Sequence, residues 1–381
     1  MIYFDNSATS FPKDESVIKT MCEAYSSFGN PGRSGHLLAM TAAEAVFSCR
    51  EAFAKHYGTS PDHVVFCPSA TFALNIIIKG IINSVIKAQA KRSFGKNRLP
   101  GVLISSLEHN SVYRPLYKLD KEGKIELTVV QVDLNSNQNT VDTFQTATNN
   151  RTALIVTTHA SNVCGHIMPL EEIAGFASSK GIPLVVDAAQ SCGHIPVNVD
   201  SLGITALCLA AHKGLRAPFG VTAMILGKDC PELDSIIEGG TGSLSLSGNM
   251  PEELPDLLEA GTQNAPAIHA LELALSLISY ERGRAYVVYD FLKEELLKLG
   301  DIKLHGISDN SLPILLFNHS SLDSETVAAR LSEKGICVRG GYHCAPLAHR
   351  TLGTSGGVRA SFSDMNNLSE AEILIDILKH L

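Results

Sequence analysis

Pro183-Leu-Val-Val-Asp187-Ala-Ala-Gln190-Ser191 and Ile204-Thr-Ala-Leu-Cys-Leu-Ala-Ala-His212-Lys213-Gly214 are two apolar runs, each ending in a group able to do chemistry. Their unbroken apolar character suits strands buried on both faces of a sheet. Working outward, similar short runs at 64–67, 102–105, 128–132, 153–157 and 221–226 join those at 184–187 and 207–210. Helical patterns, such as 70–85 and 170–179, lie between them. Strands alternating with helices predict an α/β domain with a mostly parallel seven-stranded sheet. In such sheets ligands gather at the carboxyl ends of the strands.

The stretch 265–298 predicts a long helix leaving this large domain, entered at Asn264-Ala-Pro266 with proline in its first turn. Beyond it, strands at 312–318, 336–339 and 358–362, a helix near 325–334 and a final helix predict a small C-terminal α+β domain. The expected division is 1–264 and 265–381, with residues 1–20 packing with the small domain.

The chain has 381 residues, 45% of them hydrophobic and 18% charged, which suits a globular protein with a large core. A net charge of -8 gives no footprint for nucleic acid. The basic stretch 91–98 reads as a solvated loop. The nine cysteines are scattered and form no Cys-x-x-Cys pair, which argues against a disulfide framework and a zinc site, so no metal is expected. The start, Met1-Ile-Tyr-Phe-Asp5-Asn6, has no basic, apolar leader, and no stretch reads as long and apolar enough to span a membrane. The expectation is a cytoplasmic protein with no membrane partner.

Lys213 puts an amine at one strand end, and Asp187 puts a carboxylate at its neighbour. Pyridoxal 5'-phosphate (PLP) needs both: the amine bonds its aldehyde, and the carboxylate keeps its ring nitrogen protonated. By itself a lysine after a strand is an ordinary solvated residue. Three further strand ends add weight. Ser69-Ala70-Thr71 opens a helix and offers free N–H groups to an anion. Glu108-His109-Asn110 supplies an imidazole, which elsewhere would be a capping residue, and Ser161-Asn162 supplies a hydrogen-bond donor.

Taken in order, Tyr3-Phe-Asp-Asn-Ser-Ala-Thr9, Glu108-His109, Ser161-Asn162, Val186-Asp187-Ala-Ala-Gln190-Ser191, His212-Lys213-Gly214 and Gly261-Thr262-Gln263-Asn264 resemble the successive motifs of class V aminotransferase-fold enzymes. Cys337-Val-Arg339-Gly-Gly-Tyr-His343-Cys344-Ala345-Pro346 and Gly357-Val-Arg359-Ala-Ser-Phe362 are similar to the cysteine and arginine motifs of group II (Suf-type) cysteine desulfurases. The resemblance implies the PLP-dependent transferase fold type I and a homodimer. The implied reaction takes L-cysteine to L-alanine, leaves a persulfide on Cys344, and passes the sulfur to an acceptor protein. It also implies roles: Lys213 as covalent anchor and proton carrier, Cys344 as nucleophile, Asp187 on the ring nitrogen and His109 stacked on the ring. Gln190 and Asn162 would contact the ring oxygen. Ala70, Thr71 and His212 would hold the phosphate, with Thr262 reaching the phosphate of the partner subunit. Arg359 would bind the substrate carboxylate, and Arg339 would support the loop or the substrate, as would Asn162. Selenocysteine lyase, cysteine sulfinate desulfinase and a plain class V aminotransferase share the scaffold and are the alternative activities. A non-catalytic relative that has kept the fold is the alternative from another class. The chain departs from the common pattern at Ser69-Ala70-Thr71-Phe72, where a second hydroxyl is usual, at Tyr342, where histidine is common, and at Arg216.

Overall fold

The computed structural model describes residues 1–32, 35–91 and 99–381, so most of the basic stretch 91–98 lies outside the described residues. The strands in chain order are β1 (Ile2–Tyr3), β2 (Val64–Cys67), β3 (Gly101–Ser105), β4 (Glu126–Val130), β5 (Thr152–Thr158), β6 (Leu184–Asp187), β7 (Ala206–Cys208), β8 (Thr222–Leu226), β9 (Ile302–His305), β10 (Ile314–His319), β11 (Ile336–Cys337) and β12 (Val358–Ser361). Seven of them form the central sheet in the order β2-β8-β7-β6-β5-β3-β4. Only β8 runs antiparallel to its neighbours, so the expected mostly parallel sheet is present.

Alternate residues of one strand feed two different cores. On β2, Val64 and Phe66 join the core on one face of the sheet, and Val65 and Cys67 join the other. This period of two, with both faces covered, is why the buried strands, β2 at one edge of the sheet among them, read as apolar runs. The edge strand β4 instead alternates exposed and half-buried residues.

The helix Ala70–Lys91 covers one face with Leu74, Ile77, Ile78, Ile81 and Ile82 buried. Each such side chain stabilises the fold by about 2 kcal/mol on leaving water. At 22 residues this helix is long and apolar enough to cross a membrane, which corrects the expectation that no stretch is. It is apolar over much of its surface because it is sandwiched between the sheet and the helix Asn110–Lys121.

The stretch 265–298 is two helices, Ala265–Ser276 and Arg284–Leu296, which corrects the single long helix expected there. The first packs against the helices Glu15–Ser27 and Leu37–Tyr57 and belongs to the core of the large sheet. The second starts where Asp364 accepts the Ala285 N–H at 2.9 Å. A β-carbon at Gly283 would meet Asp364 at 2.3 Å, so this glycine lets the acid approach and begin the new helix.

In the C-terminal part, β12, β10 and β9 form an antiparallel sheet. The chain start joins this region: β1 pairs in parallel with β11, and Asp5 bridges to Ser361.

Candidate active site

A cavity of about 250 Å³ opens at the carboxyl ends of the parallel strands. Its wall includes Ala70, Thr71, His109, Asn162, Asp187, Gln190, His212, Lys213, Arg339 and Arg359, all sites expected from the sequence. Two expected residues are outside this wall. Thr262 is exposed on its own chain, and Cys344 is exposed one side chain away, with Arg339 Nη2 3.8 Å from its Sγ.

Lys213 and Asp187 are held by the fold before any ligand arrives. The His212 carbonyl, one residue before the lysine, accepts hydrogen bonds from Ser10 N–H (3.2 Å), Ser10 Oγ (3.1 Å), Thr9 Oγ1 (3.0 Å) and the Lys13 ammonium. The N-terminal segment thus straps down the backbone that carries Lys213. Burial pushes the Lys213 amine down to about 8, against the opposing pull of Asp187. Burial raises Asp187, while the Ala189 N–H, donating at 2.9 Å, and the Lys213 charge hold it back. These shifts have one cause, loss of water around a charge.

His109 does two jobs. Its Nδ1 accepts the Ser111 N–H at 3.0 Å and caps the helix Asn110–Lys121, so the helix-capping role coexists with a place in the cavity wall. With Nδ1 accepting, the ring proton sits on Nε2. Burial and the nearby Lys213 charge push His109 down to about 4, so the ring is neutral at physiological pH. The preceding Glu108 is fully buried and accepts the Thr158 N–H at 2.7 Å, which ties the loop carrying His109 to the end of β5.

The Ser69–Thr71 turn has the geometry of an anion site. Ser69 Oγ accepts the Phe72 N–H at 3.2 Å, and the helix's bonding begins with the Ala73 N–H on the Ser69 carbonyl. The N–H groups of Ala70 and Thr71 come before that first bond, at the positive end of a 22-residue helix.

Two expected contacts are already spoken for in part. Asn162 donates from Nδ2 to the His343 carbonyl at 2.8 Å, and Gln190 donates from Nε2 to the Ser7 carbonyl at 3.1 Å. Arg359 is 1% exposed and donates to the Asn162 carbonyl (3.0 Å) and to Asp5 Oδ1 (2.7 Å). Its Nε is buried without a protein partner. Asp5, which the sequence left without a role, is the counter-charge that makes burial of this guanidinium tolerable. Removing one member of a buried pair strands the other. Asp5→Ala is therefore expected to destabilise the protein by about 3 kcal/mol, the low end for a buried pair because Asp5 is partly exposed. Urea unfolding of the two proteins measures this.

The Cys344 turn is strained and tightly held. His343 and Cys344 have φ of 51° and 56°, a left-handed conformation costing about 1 kcal/mol or more per non-glycine residue. The Asn110 N–H donates to the Cys344 carbonyl at 2.7 Å, and Asn162 holds the His343 carbonyl. The Thr262 segment has its own anchor. The Arg50 guanidinium grips the Glu259 carboxylate at 2.8 and 2.9 Å, and the Phe66 N–H donates to the same carboxylate at 2.6 Å. Three residues on, Thr262 is presented outward. Among the described residues, no cluster of histidines, cysteines and acids has the makings of a metal site.

The set of groups fits PLP: an amine and a carboxylate in one wall, and an anion site at a helix start. Comparisons with known proteins point the same way. The model of the family "Aminotransferase class-V" matches residues 2–374. A probable cysteine desulfurase of Methanothermobacter thermautotrophicus is 30% identical, over all of this chain and 94% of its own length. The cysteine desulfurase IscS of Dictyoglomus turgidum is 31% identical, over 99% of this chain and 95% of its own. Among solved structures, the apo cysteine desulfurase of Thermococcus onnurineus matches with a TM-score of 0.88 at 27% identity, covering 100% of this chain and 94% of that one. The cysteine desulfurase CsdA of Escherichia coli matches with a TM-score of 0.85 at 23% identity, covering 99% and 94%, a likeness of fold.

Proposed function

The chain belongs to the class V aminotransferase family, and from that premise we propose that it is a PLP-dependent cysteine desulfurase, converting L-cysteine to L-alanine with a persulfide on Cys344. The observation that carries this reading is the meeting, around one cavity, of Lys213, Asp187 and Arg359, with a cysteine one side chain away. An aminotransferase needs the first three and has no use for the fourth.

When bound, PLP supplies a ring that takes up the electron pair left as the substrate loses its α-proton. The chain's residues do the rest. Lys213 would anchor the cofactor and move the α-proton. Asp187 would pair with the ring nitrogen, and His109 would support the ring. Ala70 and Thr71 N–H groups and His212 would hold the phosphate, while Asn162 and Gln190 would serve the ring oxygen. Arg359 takes the substrate carboxylate, where a guanidinium fork matches two oxygens. The Cys344 thiolate then attacks the substrate sulfur. An S–S bond forms and the substrate C–S bond breaks with its electron pair left on the substrate; the β-carbon takes a proton and the α-carbon regains the one that Lys213 removed, giving alanine. The Arg339 guanidinium lies 3.8 Å from Cys344 Sγ.

The direct test is the mass of the Cys344 peptide after incubation with cysteine, with alanine measured in the same tube. One added sulfur on Cys344 and matching alanine support the reading; alanine without sulfur on Cys344 overturns it. Turnover of selenocysteine and cysteine sulfinate beside cysteine separates the alternative lyase and desulfinase activities. The group II placement, a cytoplasmic location and a sulfur-acceptor protein belong to the same proposal.

A homodimer completes the site. Thr262 is exposed on its own chain, as a residue reaching a partner's phosphate would be. Phe47 (53%), Phe219 (64%), Leu244 (59%) and Leu246 (105%) are large apolar side chains left in water, the kind of surface a partner covers. Light scattering on dilute protein is expected to give twice the 40.8 kDa of one chain. A fully active monomer contradicts shared sites.

A further inference from the structure

We infer that His349 is a positioning residue for the nucleophile: by donating to His343 Nδ1 it pins that ring in place and so holds the left-handed turn that presents Cys344. The inference rests on the reading of Cys344 as the nucleophile.

Three side chains make a single line. His343 Nε2 lies 3.0 Å from the Arg339 carbonyl, His343 Nδ1 lies 3.2 Å from His349 Nε2, and His349 Nδ1 lies 2.7 Å from Thr354 Oγ1. The proton positions follow from the ends. A carbonyl oxygen only accepts, so His343 Nε2 must carry a hydrogen. A neutral His343 then has a lone pair on Nδ1, so His349 must donate to it from Nε2. That leaves His349 Nδ1 as an acceptor, filled by the Thr354 hydroxyl. Every ring nitrogen in the line has one partner and one role.

Both rings are buried, His343 at 2% and His349 at 1% exposure, and they stack with an interplanar angle of 20°. A second proton on His343 would set its Nδ1–H against the His349 Nε2–H. Burial does push both imidazoles below their usual range, His343 to about 3.

The line ends on the backbone that matters. The Arg339 carbonyl also accepts the Arg359 N–H at 2.8 Å, so the His343 ring is clamped to the bridge that joins Arg339 to Arg359 on β12. From this clamp His343 and Cys344 take their positive φ, and Cys344 Sγ comes within 3.8 Å of Arg339 Nη2. If His349 is lost, His343 is free to turn over. The turn then has one fewer tie against relaxing, and the thiol drifts from the place beside the cavity where the turn presents it. From sequence His349 looks like one more basic residue at a helix end; its only signal is a second histidine six residues after His343.

The test reads thiol reactivity on the cofactor-loaded protein, with exposed Cys22 as an internal standard. Limited alkylation with iodoacetamide at pH 7 is followed by mass analysis of both peptides. His349→Phe keeps a flat ring and removes the donor; it is expected to lower the Cys344-to-Cys22 alkylation ratio about fivefold. His349→Gln can still donate an N–H to His343 Nδ1 and is expected to hold the ratio within about twofold of wild type. The kcat for alanine formation should fall with the ratio while KM for cysteine stays. Thr354→Val removes only the terminal donor and takes the place of the phenylalanine variant if that one does not fold; a lowered ratio supports the inference. An unchanged ratio in the folded His349→Phe or Thr354→Val variant overturns it, as does a glutamine variant that falls as far as phenylalanine. Alkylation needs no turnover of cysteine. A chain that shows this pattern but makes no persulfide therefore loses the desulfurase reading and keeps the positioning role.

Discussion

Lys213→Ala is expected to abolish alanine formation, a loss on the order of 10³-fold or more, because one amine serves as both covalent anchor and proton carrier. The purified variant should lack the yellow colour of the loaded wild type. In the wild type, borohydride reduction and peptide mapping should place the pyridoxyl group on Lys213; a label on another lysine contradicts the assignment. The pH dependence has a defined sign. Burial lowers the amine from 10.5 to about 8, so the cofactor-free chain holds the reactive neutral amine at lower pH than a surface lysine would. Capture of PLP by the cofactor-free protein should accelerate as pH rises through about 8 and then level off. The same shift disfavours the folded state wherever an unfolded lysine would be charged. Its cost is full below pH 8 and fades as pH rises from about 8 to 10.5. A capture rate that kept rising to pH 10.5 would show that Lys213 titrates as an exposed lysine.

How much of this could be read from the chain depended on how local each signal was. The strands β2, β6 and β7 were legible because a strand covered on both faces is apolar along its length, broken here only by Asp187 at the end of β6. The strand β9, with its Lys303 and His305 beside Ile302 and Leu304, lies at the edge of a small sheet and looks like loop. The helices Glu15–Ser27 and Leu37–Tyr57 went unmarked because their packing partner, Ala265–Ser276, is more than two hundred residues away. The site divides in the same way. Lys213, Asp187, His109 and Asn162 follow strands and were found by that rule together with the resemblance. Asp5 was quoted within a motif but given no role, since its partner Arg359 is 354 residues distant. Residues that act through another residue leave no pattern at all: Glu108 behind His109 and His349 behind His343 emerge only when the chain is folded.

Cys344→Ala is expected to separate cofactor chemistry from sulfur transfer. The groups that would hold PLP are Lys213, Asp187, His109 and the Ser69–Thr71 turn, and none of them is hydrogen-bonded to the Cys344 side chain. The backbone bond from Asn110 N–H to the residue-344 carbonyl survives the substitution, so the turn keeps that anchor. The variant should therefore stay yellow and respond spectrally to added cysteine as the wild type does. Alanine formation from cysteine should fall on the order of 10²- to 10³-fold, because no thiolate is left to take the substrate sulfur. Selenocysteine and cysteine sulfinate should lose less, since selenium and sulfite leave carbon with less help. The contrast between substrates is what makes the result specific. A general loss on all three would mean that alanine at 344 had collapsed the turn. The desulfurase mechanism fails if the variant makes alanine from cysteine at close to the wild-type rate, for then the sulfur departs without passing through Cys344.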